Sequence, residues 1–320
     1  MGAEIGSYRR AAAKFEGLTK IPLSKSSLHG LTGTYGGRLV ELQHQEAEAM
    51  VRTPGPGEEI VWRERPEPDS EVMALSFDGA MIHLIDEGWK EVKVVTVAAV
   101  EPSQAAEPEA EATVKLTQIS YRAGVWEAKE FAKQQWAEGC RRGLEKAKQV
   151  VSVNDGAVWI WLIIAMCWTP CQEILDWWHA LEKLWAAANS LLGQGQAQTT
   201  AWMTQQKAHL WAGQVRPILA EIRQLVPRGQ PLAEPVWALV SYFFHHRHRM
   251  AYADYRQAGY PIGSGTVEAG CKVVVEARMK RAGMRWSREG AQAMLAIRSV
   301  LLSERWQAVW PTLLSAQKLA

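Results

Sequence analysis

Two aspartates stand at positions suited to holding a metal ion. Aspartate is scarce in this chain, with six Asp against twenty-eight Glu. Asp78 directly follows the apolar run 72–77 (VMALSF), Asp155 closely follows the run 150–153 (VVSV), and each precedes a glycine. A carboxylate at the end of a buried strand faces the cleft beyond it, and two such groups repel each other unless a cation lies between them. Their hard oxygens suit Mg²⁺ or Mn²⁺, although each Asp-Gly pair is also an ordinary turn signal.

Glu268 is a third candidate carboxylate. It lies in the opening turns of a predicted helix that directly follows the Gly-rich turn 260–265 (YPIGSG). The helix dipole favours a carboxylate near the N terminus, so an ordinary helix-start Glu is the alternative interpretation. The turn also suits a phosphate, but the lysine of a phosphate-binding loop is missing at the required spacing. The residues on the apolar face of this predicted helix are Cys271, Val274, Val275 and Met279.

A basic stretch follows Glu268. The whole chain has a net charge of only +2, yet residues 271–288 hold six basic residues and one acid. Lys and Arg bind phosphates, and a tryptophan among them can stack on a base. We therefore predict a DNA contact here, with a solvated helix face as the alternative. The predicted contact residues are Lys272, Arg278, Lys280, Arg281, Arg285, Trp286 and Arg288.

Asp176 and His179 form a further candidate group. Their spacing places them on one face of a helix or at a strand-to-helix turn. They either hold the local backbone or act beside the active site, and the residues alone leave both roles open. The histidine run 245–249 (HHRHR) lacks carboxylate or thiolate neighbours in the sequence, so we predict a basic helix face there rather than a metal site.

Composition limits the class of protein. The chain has 320 residues, of which 48% are hydrophobic and 22% charged, as in a globular protein with a large core. This balance excludes a mainly disordered or collagen-like chain. The longest apolar run, 157–168, is too short to span a bilayer, and no secretory leader follows Met1. The four cysteines show no C-x-x-C spacing, so we expect reduced thiols in a soluble, cytoplasmic protein.

The element pattern predicts an α/β or α+β chain. Strands come first, then a helix and one more strand, and the chain is mainly helical from about residue 173. Asp78-Gly79-Ala80 reads as a turn that ends the first strand. The strands are predicted at 72–77, 81–85, 89–100, 114–125 and 150–153, and the helix between them at 126–150.

The first fifty residues differ in character from those that follow. Residues 1–40 are basic, with apolar residues spaced as in two or three short helices, and Ser26 or Ser27 is a candidate cap. We predict that 1–50 forms a small helix-turn-helix-like DNA-binding segment. Residues 51–71 are acidic and Pro/Gly-rich, which predicts a linker, and 101–112 reads as an exposed connector.

Several of these motifs resemble one known family. The stretches 260–272 (YPIGSGTVEAGCK) and 277–291 (ARMKRAGMRWSREGA) resemble the C-terminal signature of the Kra-type (ISKra) bacterial insertion-sequence transposases. The remaining matching blocks occur in the same order as in that family, and the resemblance covers about residues 72–310. These blocks are Asp78-Gly79 with 88–93 (GWKEVK), 155–161 (DGAVWIW) and 175–180 (LDWWHA).

The resemblance implies a fold and a division of the chain. The implied fold is RNase H-like α/β, a mixed sheet flanked by helices, with a small helical N-terminal segment. It carries an all-helical insertion before the last catalytic Glu. The catalytic core would comprise 72–180 and 260–320, the latter with basic C-terminal helices, and the insertion would be 181–259.

The resemblance also implies a site and an activity. Asp78, Asp155 and Glu268 would be the three catalytic, metal-binding carboxylates, holding two Mg²⁺ or Mn²⁺ ions. Asp176 and His179 resemble the D-x-x-H element of Mutator-like transposases. Such an enzyme cleaves double-stranded DNA at transposon ends and transfers the strands to a target.

The implied partners are transposon ends and target DNA, which a homo-oligomer would bind. No membrane contact is implied. When bound to DNA, the protein would associate with the bacterial nucleoid. A transposase-derived DNA-binding protein without catalysis and a nuclease that does not join strands are the alternatives. Fuller members carry a cysteine-containing, finger-like segment before the core, so we expect end recognition by this chain to be incomplete.

Overall fold

The computed structural model describes residues 1–51, 66–102, 114–227 and 229–315. In these residues the chain is α/β, with a mixed five-stranded sheet flanked by helices. None of the described helices combines the length and apolarity that crossing a membrane requires. Most of the predicted linker 51–71 and of the predicted connector 101–112 lies outside the described residues.

The sheet has the strand order β3-β2-β1-β4-β5. The first three strands pair antiparallel, and β4 and β5 run parallel to β1. Central strands buried on both faces have nearly continuous apolar sequences, which is why the Val-rich segments predicted strands. The strands are β1 (Val72–Leu84), β2 (Gly88–Pro102), β3 (Val114–Gly124), β4 (Gln149–Asn154) and β5 (Gln172–Leu175).

Two features of the sheet differ from the sequence prediction. β1 does not end at Asp78-Gly79. β2 pairs with β1 from Met73 to Leu84, and in this pairing Asp78 lies opposite Val94. The predicted turn is therefore wrong: 72–77 and 81–84 are parts of one strand, and Ile85 of the predicted strand 81–85 begins the turn after it. β5 was not predicted, since its four residues alternate too briefly to distinguish a strand from the start of a helix.

The helices surround this sheet. A segment of π-helix, Cys271–Glu276, continues α10 into α11 and makes one helical rod of the three. The helices are α1 (Tyr8–Thr19), α2 (Lys25–Val51), α3 (Ala128–Arg141), α4 (Val158–Cys167), α5 (Trp177–Leu192), α6 (Ala197–Trp211), α7 (Val215–Leu225), α8 (Glu234–His246), α9 (Tyr252–Gln257), α10 (Gly265–Gly270), α11 (Ala277–Met279), α12 (Arg288–Leu302) and α13 (Trp306–Ser315).

The N-terminal helices pack on the rest of the chain. The prediction of two or three short helices is corrected to α1 and a 27-residue α2, and the hydroxyl of Ser24, not Ser26 or Ser27, accepts an N–H at the start of α2. α2 packs along α12 and α3. Gly36 permits this close approach, because a Cβ at that position would lie 2.6 Å from the Cβ of Ala293.

The two faces of the sheet carry different cores, because alternate residues of a strand point to opposite faces. Leu75 and Phe77 belong to the core shared with α3, α4 and helices α5 to α9. Ile82 and Leu84 belong to the core shared with α10 and α12. Asp78 has the parity of the second pair, so its side chain lies on the α10 side of the sheet.

Candidate active site

Asp78 lies within β1, and Asp155 directly follows the neighbouring strand β4. β1 and β4 pair in parallel as far as Leu75 opposite Ser152, and each aspartate comes three residues after this pair in its own strand direction. Burial raises the pKa of Asp78, and the nearby negative charges of Asp155 and Glu268 raise it further. The structure therefore brings all three predicted carboxylates into one electrostatic neighbourhood.

The carboxylate of Asp78 is held by its surroundings. Its Oδ1 accepts the backbone N–H of Gly79 at 2.6 Å, and the thiol of Cys271 hydrogen-bonds to the same carboxylate. Burial raises the pKa of Cys271, and the charge of Asp78 raises it further, so the thiol keeps its proton and serves as a donor. Cys271 follows Glu268 by three residues on the same helical rod, so the two side chains lie on one side of that rod.

Asp155 directly follows β4, as the sequence predicted. Its Oδ1 accepts the N–H of Ala157 at 2.9 Å, and its backbone carbonyl accepts the hydroxyl of Tyr242, from α8, at 2.5 Å. Gly156 has a φ of +97°, which glycine adopts without strain. A Cβ there would also lie 2.8 Å from the Tyr242 ring, so this turn has room only for glycine.

Asp176 directly follows β5, as Asp155 directly follows β4. β4 and β5 pair as far as Asn154 opposite Leu175, and the backbone N–H of Asp176 donates to the carbonyl of Asn154 at 2.8 Å. Asp176 caps helix α5, so the strand-to-helix turn is the correct one of the two arrangements predicted for it. Its side chain is fully buried, whereas Trp178, two residues later in α5, is exposed.

Both carboxylate oxygens of Asp176 are engaged. Oδ1 accepts the backbone N–H of His179 at 2.7 Å and lies 3.0 Å from the Nδ1 of the same residue, and Oδ2 accepts the backbone N–H of Ser264. Burial alone would raise the pKa of Asp176, but these hydrogen bonds outweigh it and lower the pKa. The hydrogen bond to Asp176 raises the pKa of His179 to about 9, so His179 is a cation at neutral pH.

Glu268 lies in α10, four residues after Ser264. The hydroxyl of Ser264 donates to the Oε1 of Glu268 at 2.9 Å. One potential ligand atom from each of Asp176, His179 and Glu268 lies within 4.8 Å of the others. This group and that of His44, Glu48 and Glu130 are the ones among the described residues that could hold a metal ion, and neither Asp78 nor Asp155 belongs to them.

Helix α10 sits tightly on the sheet. A Cβ at Gly270 would lie 3.0 Å from the side chain of Thr96 on β2 and 3.1 Å from that of Tyr121 on β3. The π-helical turn begins at the next residue, Cys271, and such turns are frequent at functional sites. The prediction that Cys271 lies on an apolar helix face is confirmed, as it is for Val274, Val275 and Met279, all of which are buried.

The basic stretch after Glu268 divides into buried and exposed members. The prediction that Arg278 and Trp286 contact DNA conflicts with their burial, at 1% and 7% exposed. Arg278 donates to the carbonyl of Gly2 and lies over the rings of Tyr8 and Trp286. The N-terminal residues thus cover side chains that the sequence pattern placed on a surface.

The remaining basic residues differ in solvent exposure and in whether they form ion pairs. Lys272, Arg281 and Arg285 are exposed. Lys280 is exposed and pairs with Glu276, whereas Arg288 is partly exposed and pairs with the carboxylate of Glu87. This leaves a smaller basic surface than the charge count implied.

The histidine run is also divided. His245 is exposed at the end of α8, as predicted for a basic helix face, but His246 is buried against Trp161 and Tyr242. Burial, together with the charge of Arg249, lowers the pKa of His246 to about 4, so it is neutral at pH 7. His246 is therefore a core residue rather than part of a charged face.

Ser264 and Tyr242 were missed by the sequence reasoning. Ser264 lies inside a Gly-rich turn whose sequence suggested only a phosphate contact, and Tyr242 lies in a helix more than eighty residues from the aspartate it contacts. A scan against models of known protein families finds no match to this chain, and a search of curated proteins finds no significant match.

Proposed function

We propose that this protein is a metal-dependent DNA transposase that cleaves phosphodiester bonds at transposon ends and transfers the strands. The observation that carries the proposal is that Asp78, a half-buried residue of β1, lies within reach of the charges of Asp155 and Glu268, which together with burial raise its pKa. The motif resemblance to the Kra-type transposases supports the same assignment of residues.

The three carboxylates fit divalent cations. Partly buried groups of like charge destabilise one another, and a cation among them removes that cost. Their oxygens are hard donors of the kind that Mg²⁺ and Mn²⁺ prefer. Asp78, Asp155 and Glu268 are the residues that would hold the ions. When bound, a pair of such ions activates water or a 3′-hydroxyl and stabilises the leaving oxygen.

The chain's own residues would prepare the substrate for this chemistry. The protonated His179 places a positive charge beside the carboxylates, where it favours an approaching phosphate. Lys272, Arg281 and Arg285 are exposed on and after the helical rod that carries Glu268, and they would bind the DNA backbone.

The mixed sheet is compatible with an RNase H-like core, which we propose as its finer classification. Three antiparallel strands are followed by two parallel ones, with Asp78 inside β1 and Asp155 directly after the neighbouring strand β4. Helices α5 to α9 would then be the insertion before the last catalytic Glu. We propose that the protein acts as a homo-oligomer on paired DNA ends.

The test is divalent-metal-dependent nicking and strand transfer on duplex DNA that carries the sequences flanking this reading frame. The wild type is compared with Asp78→Asn, Asp155→Asn and Glu268→Gln, which keep side-chain size while removing charge. Asp254→Asn, at an exposed position of α9, is the matched control. We expect Mg²⁺- or Mn²⁺-dependent products from the wild type and the control only.

Other outcomes separate the competing functions. DNA binding without product from the wild type, in either metal, would reject catalysis and leave a DNA-binding protein. Nicked products without joined strands would indicate a nuclease instead. Full activity in any one of the three carboxylate variants would remove that residue from the proposed site.

A further inference from the structure

We propose that Ser264 is a positioning residue that holds the carboxylate of Glu268 in place for metal binding. This inference rests on the proposed function, since it assigns Ser264 a role in forming that metal site. The juxtaposition that carries it is a continuous chain of hydrogen bonds from β4 through Asp176 and Ser264 to Glu268.

Ser264 interacts with two carboxylates, and its side chain as well as its backbone helps to lower the pKa of Asp176. Its backbone N–H donates to the Oδ2 of Asp176, and its hydroxyl donates to the Oε1 of Glu268 at 2.9 Å. Ser264 is only 3% exposed, so neither bond competes with bulk water. The residue therefore links the turn before α10 to the functional carboxylate four residues later.

The hydroxyl is not explained by helix capping. A serine at an N-cap ordinarily accepts a backbone N–H from the first turn of its helix. Ser264 occupies the N-cap of α10, yet among the described residues its side chain accepts no such N–H and donates to Glu268. Ser287, the N-cap of α12, shows the ordinary arrangement and accepts the N–H of Gly290 at 3.0 Å.

The other end of the chain of hydrogen bonds is anchored on the sheet. The N–H of Asp176 donates to the carbonyl of Asn154 at 2.8 Å, next to Asp155. The N–H of Trp177 donates to the carbonyl of Ile262 at 2.9 Å, which ties the start of α5 to the same Gly-rich turn. These hydrogen bonds connect Glu268 to the end of β4, next to Asp155. They do so although α10, which carries Glu268, lies outside the sheet.

A free glutamate samples several rotamers, and each metal-binding event must then select one of them. The hydroxyl of Ser264 restricts Glu268 before a metal arrives. Removing a hydrogen-bond partner of a metal-ligating group typically costs about 10- to 100-fold in metal affinity or activity. Ser264→Ala deletes only the hydroxyl and keeps the backbone N–H that donates to Asp176.

The experiment measures Mn²⁺ binding directly, by the loss of the electron paramagnetic resonance signal of free Mn²⁺, in the full chain without DNA. The variants are Ser264→Ala, Ser264→Thr, which keeps a hydroxyl, and Ser287→Ala as the matched cap control. Thermal unfolding of every variant and DNA affinity in metal-free buffer are recorded in parallel. Single-turnover cleavage at increasing Mn²⁺ concentration provides the second readout.

We expect Ser264→Ala to require about 10- to 100-fold more Mn²⁺ for half-saturation and for half-maximal cleavage, with unchanged metal-free DNA affinity. Ser264→Thr should restore binding, and Ser287→Ala should bind Mn²⁺ like the wild type. Wild-type Mn²⁺ affinity in Ser264→Ala would overturn the positioning role while leaving the proposed function intact. A wild type that neither binds Mn²⁺ nor cleaves DNA would reject the proposed function itself.

Discussion

The hydroxyl of Tyr242 donates to the backbone carbonyl of Asp155 at 2.5 Å, joining helix α8 to the end of strand β4. Burial raises the pKa of Tyr242, and the charge of Asp155 raises it further, so the hydroxyl remains a donor. The ammonium of Lys183 lies 4.6 Å from the centre of the Tyr242 ring and helps to fix it. The helical region after β5 therefore helps to position a carboxylate on the sheet.

Tyr242→Phe should weaken cleavage more than it weakens the fold. Removing the hydrogen-bond partner of a partly buried carbonyl costs about 1–3 kcal/mol, and here the carbonyl belongs to Asp155 itself. Tyr255→Phe is the matched control, since its hydroxyl donates to the carbonyl of His248 at 3.3 Å, away from the carboxylates. Urea unfolding and single-turnover cleavage are compared, and equal cleavage losses in the two variants would contradict the positional role of Tyr242.

Basic residues near the site should separate into two classes. Lys272→Gln and Arg285→Gln remove exposed cations, so we expect weaker DNA binding with unchanged stability. Removing one cation that binds a phosphate should reduce the slope of log affinity against log salt by about 0.9. The measurement is DNA affinity between low and moderate salt concentration, with thermal unfolding alongside.

Arg278→Gln should behave in the opposite way. Its guanidinium is buried between two aromatic rings and bonded to a carbonyl, so its removal should lower the free energy of unfolding by about 2–3 kcal/mol. DNA affinity of the folded fraction should be retained. A variant that is fully stable yet deficient in DNA binding would contradict the buried placement of Arg278.

The pH dependence of stability should report a buried ion pair. Glu138 is fully buried, and although burial alone would raise its pKa, the charges of Arg305 and Arg141 lower it to about 2. Because the folded pKa lies below the ordinary value of 4.5, the stabilising contribution is complete above about pH 4.5 and is lost as the pH falls toward 2. This contribution is on the order of 3 kcal/mol.

Urea unfolding of the wild type at several pH values between 7 and 3 tests this. Glu138→Gln should be less stable at pH 7, because Arg305 loses its carboxylate partner, and its stability should fall less on acidification. Glu71→Gln, which removes an exposed pairing with Lys148, serves as the control and should follow the wild type. An acid transition of unchanged size in Glu138→Gln would assign that transition to other groups.

Three glycines of α2 should respond differently to alanine. A Cβ at Gly36 would meet Ala293 at 2.6 Å, so Gly36→Ala should separate α2 from α12 and cost about 1–3 kcal/mol. No described heavy atom lies within 4 Å of a Cβ added at Gly33 or Gly37, so alanine there should stabilise the helix by about 0.5–1 kcal/mol. Chemical denaturation distinguishes the two signs, and stabilisation by Gly36→Ala would contradict the close packing.

Local patterns predicted the strands that carry Asp78 and Asp155 because both follow apolar runs long enough to show their period. The same patterns failed where pairing decided the outcome. Asp78-Gly79 is a turn signal in isolation, yet the partner strand β2 keeps it extended. β5 is only four residues long, and it is a strand because it pairs with β4.

The residues that support the site could not be predicted in this way. Glu268 was predicted from its place at a helix start, but nothing in a Gly-Ser-Gly turn reveals that Ser264 donates to it. The burial of Arg278 depends on Gly2 and Tyr8, which lie some 270 residues earlier in the chain. Such contacts belong to tertiary packing, which periodicity and spacing do not encode.

The pairing of β1 with β4 provides fixed residue spacings that can be used to align distant sequences. The count of residues from a paired strand position to Asp78 is fixed, because one residue inserted or deleted between Leu75 and Asp78 would turn the side chain to the opposite face of the sheet. The connections between elements carry no such restriction. Related chains should therefore keep constant spacing within each strand while the number of residues separating the two aspartates drifts freely.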